Sequence, residues 1–118
     1  MEQTKNKEKR RYPRIRLHIP VHYHFRDSPE TSNALSDNIS SGGLGVINNS
    51  FIPPGTIIIV EISVGSHVIE SLGKVSWASP IPHGERYLLG IEFLQMNEIN
   101  KKSLHAYLDQ KKTSSKQD

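Results

Sequence analysis

A chain of 118 residues, 35% hydrophobic and without cysteine, has room for one modest core and excludes a disulfide framework, a thiolate metal site and a cysteine nucleophile. Its net charge of +3 is unevenly spread: residues 1–16 hold seven Lys/Arg against two Glu, residues 17–100 three basic against eight acidic, and residues 101–118 five Lys against two Asp. Basic ends around an acidic body disfavour a duplex-binding domain, whose basic stripe would lie on the folded part, and suit an anion held by the N-terminal arm.

Residues 1–8 are polar without an apolar anchor and are expected to be a disordered tail. A flexible basic arm follows, expected to be mobile through Arg14 until a ligand binds, and Pro13 argues against a helix through it. Ile19, Val21, Tyr23 and Phe25 alternate with His18, Pro20, His22 and His24, the period-two pattern of a half-buried strand. Residues 27–33 form a turn cluster, Ala34 to Ile39 a short strand, and Leu44 to Ile47 the start of another. The β-branched run from Ile57 to Ile62 predicts a strand buried on both faces at its start. A hairpin turn is expected at Val64–Val68, then a long strand from Val68 to Ala78 with Gly73 as a bulge. Tyr87 to Leu94 is the last strand, with Gly90 read as a point where another backbone comes close. Leu104, Tyr107 and Leu108 then share one helical face, and Asn97 or Asn100 can cap that helix.

The predicted fold is mainly β: a six-stranded antiparallel barrel over about 17–95, a helix over about 97–110, and a polar tail from 111 to 118. The N-terminus has no apolar segment of the secretory type, and no run approaches the roughly 18 apolar residues of a membrane helix. A cytoplasmic protein without membrane insertion is therefore expected.

Two short motifs carry most of the chemistry. Lys9-Arg10-Arg11-Tyr12-Pro13-Arg14 contains Arg-x-x-x-Arg as Arg10 and Arg14, which supplies two planar forks for phosphate oxygens or a base edge. Asn38-Ile39-Ser40-Ser41-Gly42-Gly43 contains Asn-x-Ser-x-x-Gly as Asn38, Ser40 and Gly43, which supplies a carboxamide, a hydroxyl and a position without a Cβ. Taken alone, Asn, Ser and Gly also read as an ordinary turn.

In this order the two motifs resemble the signatures of the PilZ domain family, bacterial receptors for the second messenger cyclic di-GMP. The resemblance spans roughly residues 9–110: Gly73-Lys74-Val75-Ser76-Trp77 is similar to the family's Gly-x-Val-x-Trp stretch, and Gly90-Ile91-Glu92-Phe93 to its following strand. It implies a six-stranded barrel with a C-terminal helix, and cyclic di-GMP as the ligand, with no cofactor or metal. It also implies Arg10, Arg14, Asn38, Ser40 and Gly43 as the binding residues, and an unidentified protein partner for the output. Asn38 stands where Asp is a frequent alternative, and an amide can donate as well as accept. Lys9, Arg11, Gly42 and Trp77 are further candidates. Lys9 occupies the position that in this family influences whether one ligand or a stacked pair binds, and a lysine there leaves both open. Ordering of the basic arm over the barrel by the ligand's negative charge is the expected mechanism. Family analogy points to motility, attachment or biofilm control.

Other functions have less support. His22 and His24 share a strand face with His18 but lack a third ligand at metal-binding spacing. There is no Gly-x-Ser-x-Gly elbow, and Gly42-Gly43-x-Gly45 is not a dinucleotide fingerprint, so an enzyme is not expected. Asp37 beside Asn38 is not a paired-carboxylate site. The competing readings are a PilZ-like adapter that binds protein and no nucleotide, and a single-strand nucleic-acid-binding barrel.

Overall fold

The structure is a computed structural model that describes residues 14–117, with side chains through Lys111. The strands are β1 (Pro20–Phe25), β2 (Ser32–Ser40), β3 (Gly43–Asn48), β4 (Ile57–Val64), β5 (His67–Pro80) and β6 (Tyr87–Gln95), followed by helix α1 (Glu98–Gln117). All neighbours are antiparallel, and the sheet closes in the order β1-β2-β3-β6-β5-β4. Closure leaves no free sheet edge, which suits a small β domain.

Side-chain alternation fills the interior. Val21 and Tyr23 of β1, Ile58, Val60 and Ile62 of β4, and Leu89 and Ile91 of β6 all point into one core with Ile39, Leu44, Val46, Ile69 and Val75. In β4 the alternation is strict: Ile58, Val60, Ile62 and Val64 are buried, while Ile57 and Ile59 are only half-buried. The expected two-sided burial of that strand does not occur, because one face of every barrel strand looks outward.

Two bulges separate β5 from a regular ladder with β6. Leu72 pairs with Gln95 but Gly73 with Phe93, so Leu94 of β6 is the extra residue opposite Gly73. Val75 pairs with Ile91 but Trp77 with Gly90, so Ser76 is the extra residue on β5. A third break lies in β2, where Ser36 faces Val46 and Asn38 faces Gly45, leaving Asp37 unpaired. Such bulges re-aim the side chains that follow them.

Asn97 caps α1: its Oδ1 accepts the Asn100 N–H at 2.7 Å. Asn100 in turn donates through Nδ2 to the Glu70 carbonyl, which fixes the helix against β5. Leu104 and Leu108 are buried beneath it with Met96. The helix runs to Gln117, seven residues beyond the expected end. No Gly or Pro follows Gln110 to stop it, and the Lys111 ammonium lies 5.5 Å from the centre of the Tyr107 ring one turn back. Among the described residues no helix is long and apolar enough to cross a membrane.

Candidate ligand-binding site

The last residues before β1 are tied to the end of β2. Ile15 and Ile39 exchange both backbone hydrogen bonds, each at 2.9 Å. Two residues on, the fully buried Ser36 clamps the chain again: its Oγ accepts the Ile19 N–H at 2.8 Å and donates to the Leu17 carbonyl. The segment therefore follows a fixed path, and Arg14 stands at its start.

That path brings the two motifs together. Nη1 of Arg14 donates to Oδ1 of Asn38 at 2.6 Å, across 24 positions of sequence. Arg14 was expected to belong to a mobile arm; instead the Ile15–Ile39 bridge holds it beside the barrel. Lys9, Arg10 and Arg11 lie outside the described residues, as do the tail over residues 1–8 and the arm as far as Pro13.

The other motif residues shape the β2–β3 hairpin. Ser40 is buried, and its Oγ accepts the Gly42 N–H at 3.2 Å while donating to the Gly43 carbonyl at 3.3 Å. The hydroxyl is turned into the hairpin, where it closes the turn. The Gly42 carbonyl accepts the Phe93 N–H at 3.0 Å, so the hairpin is also tied to β6. At Gly43 a Cβ would overlap the backbone carbonyl oxygen of Ile91. Glycine is thus required there for two strands to approach, a need separate from any ligand.

A lateral row of residues crosses the outer face beside this hairpin. Asn38 of β2 pairs with Gly45 of β3, Gly45 with Gly90 of β6, and Gly90 with Trp77 of β5. Directly paired residues share a face. The row therefore has a carboxamide at one end, an indole at the other and two bare Cα positions between them. The carboxamide leans over Gly45, where a Cβ would come within 2.8 Å of Asn38 Nδ2. The indole lies across Gly90, where a Cβ would overlap ring atoms Nε1 and Cε2. The close approach expected at Gly90 is real, but it is made by a side chain and not by another backbone. Trp77 remains 42% exposed, so part of its ring is open to a planar partner.

Two residues of this site lie outside both motifs. Gly45 is the outward position of β3, and the Gly-x-Gly spacing with Gly43 is its signal. Asp37 pairs with no carboxylate, yet its Oδ2 accepts a hydrogen bond from Nδ2 of Asn38 at 2.9 Å, and its Oδ1 lies 4.0 Å from Nε2 of His18. The histidines of β1 take local partners: His22 Nδ1 is 2.6 Å from Asn33 Oδ1, and His24 Nδ1 is 3.2 Å from the Ser28 carbonyl. Among the described residues no three His, Asp or Glu side chains come together as a metal site.

The fold has solved counterparts. The Bacillus subtilis inhibitor of motility MotI/DgrA superposes with a TM-score of 0.77 at 20% identity, covering 90% of this chain and 52% of that protein. Escherichia coli YcgR in complex with c-di-GMP gives 0.76 at 17% identity, covering 92% and 48%. The PilZ domain of YcgR with c-di-GMP gives 0.69 at 17% identity, covering 92% of this chain and 96% of the domain. The chain thus spans about half the length of MotI and YcgR. No curated protein matches. A family model described as PilZ domain matches residues 8–110, and the chain belongs to the PilZ domain family.

Proposed function

We propose that this chain is a receptor for cyclic di-GMP and signals through a protein partner. The observation that carries this reading is the 2.6 Å bond from Arg14 to Asn38, which joins the arginine motif to the hairpin motif on one outer face. Guanine presents O6 and N7 as a paired acceptor for a guanidinium, and its Watson–Crick edge adds N–H donors for a carboxamide oxygen. Phosphate oxygens take charge-assisted bonds from arginine. Arg10 and Arg14 would hold a phosphate and a base edge. Asn38 would read the guanine, the glycine floor would let the ring lie close, and Trp77 would flank it. Ser40, Gly42 and Gly43 would keep the hairpin in shape, and Lys9 and Arg11 would add positive charge.

YcgR and MrkH, both solved with c-di-GMP, support the ligand, and MotI, named as an inhibitor of motility, supports an output in motility. Binding, with no bond made or broken, is the proposed activity. The arm before Arg14 would settle on the ligand and change the surface shown to the partner. Equilibrium dialysis against labelled cyclic di-GMP tests the ligand. Retention displaced by unlabelled cyclic di-GMP and not by GTP is expected; no retention at micromolar protein would overturn the reading.

A further inference from the structure

Asn38 is held from both sides by neighbours of opposite hydrogen-bonding character. The Arg14 guanidinium can only donate, and it meets Oδ1. The Asp37 carboxylate can only accept, and it meets Nδ2. A flipped carboxamide would set N–H against guanidinium and oxygen against carboxylate, so a single orientation satisfies both partners. Asp37 is available for this because the β2 bulge leaves it unpaired and turns it beside Asn38. Its side chain is only 20% exposed, and Gly45 leaves space for the amide beneath.

We propose that Asp37 is a positioning residue that locks the Asn38 carboxamide in one orientation, and so sets the choice of guanine over adenine at this site. This rests on the receptor reading above. With Arg14 drawn to the ligand, Asp37 is the neighbour that still orients the amide, which after bonding Asp37 keeps a second N–H beside its carbonyl oxygen. Guanine offers an acceptor at O6 beside a donor at N1. Adenine in the same pose offers a donor at N6 beside an acceptor at N1. A freely turning carboxamide matches either base by flipping. A locked one matches a single order, and the other base meets donor against donor. Asp37 also accounts for an amide at position 38: an aspartate there would turn an oxygen toward the Asp37 carboxylate.

The test compares wild type with Asp37→Ala, Asp37→Asn and Asn38→Asp. Affinities for cyclic di-GMP and cyclic di-AMP are measured by calorimetry, and the Asn38 side-chain amide is followed by ¹⁵N NMR without nucleotide. Asp37→Ala is expected to shift the amide resonance and to lower the preference for the guanine ligand by about tenfold, the scale of one bidentate base contact. Asp37→Asn, whose carbonyl can still accept, should retain most of the preference. Asn38→Asp should lose affinity for both ligands. An unmoved amide signal in Asp37→Ala overturns the positioning contact whether or not any nucleotide binds. A moved signal with unchanged preference overturns the specificity role. Wild type that binds neither nucleotide sinks the receptor reading and the specificity role together, while the NMR result still decides the contact. If Asp37→Ala does not fold, the same readings are taken from Asp37→Leu, which is close in size and cannot accept a hydrogen bond, and an unchanged preference there overturns the proposal.

Discussion

The carboxamide of Asn38 lies over the bare Cα of Gly45, and a methyl group on that carbon would stand 2.8 Å from Nδ2. The contact is with the end of a side chain, so the barrel can absorb the change by moving Asn38 alone. Gly45→Ala is therefore expected to keep its fold and lose about tenfold in affinity for cyclic di-GMP, the worth of roughly one displaced hydrogen bond. Calorimetry beside a thermal melt checks this; unchanged affinity would separate Asn38 from the ligand.

Gly43 behaves differently. Its missing Cβ faces the backbone carbonyl of Ile91, which cannot turn aside without moving β6. Gly43→Ala should destabilise the domain by roughly 1–3 kcal/mol through overpacking. Urea unfolding measures this, and a midpoint equal to that of wild type would contradict the strand-approach explanation.

Ser36 holds the segment that carries Arg14. Removing its hydroxyl leaves the half-buried Ile19 N–H and Leu17 carbonyl without that partner. Ser36→Ala should cost roughly 1–3 kcal/mol of stability. It should also weaken nucleotide binding, because the path from Leu17 to Ile19 loosens. Loss of stability with full affinity would show that the clamp does not position the arm.

Much of this architecture was legible in the chain. Alternation located β1, the β-branched run located β4, turn residues bounded β2 and β6, and the Val64–Val68 hairpin and the capping asparagine were read from turn and cap chemistry. The length of α1 was not, because a polar run without Gly or Pro is compatible with both tail and solvent-exposed helix. The motifs of the candidate site could be read from the sequence, but its floor could not. Asn38, Gly45, Gly90 and Trp77 share a row only because bulges at Asp37 and Ser76 set the register, and register is a tertiary property. For the same reason the partners of Asp37 could not be read from its neighbours in sequence.

Arm ordering predicts a change in protease access. Trypsin cleaves after Lys9, Arg10 and Arg11, and saturating cyclic di-GMP should slow cleavage there while leaving the barrel uncut. Equal cleavage rates with and without ligand would remove ordering from the mechanism and leave binding intact.

The decisive measurement is isothermal titration of the chain with cyclic di-GMP, alongside Arg10→Ala, Arg14→Ala and the double variant. Arg14 is exposed, so its removal should leave the fold in place. If the two arginines grip the ligand, the wild type binds at micromolar concentration or tighter, each single variant loses about 2–5 kcal/mol, and the double variant shows no heat. The fitted stoichiometry then distinguishes one ligand from a stacked pair. Wild-type affinity in the double variant, or no heat from the wild type at high ligand concentration, would contradict the assignment and leave a PilZ fold acting as a protein adapter.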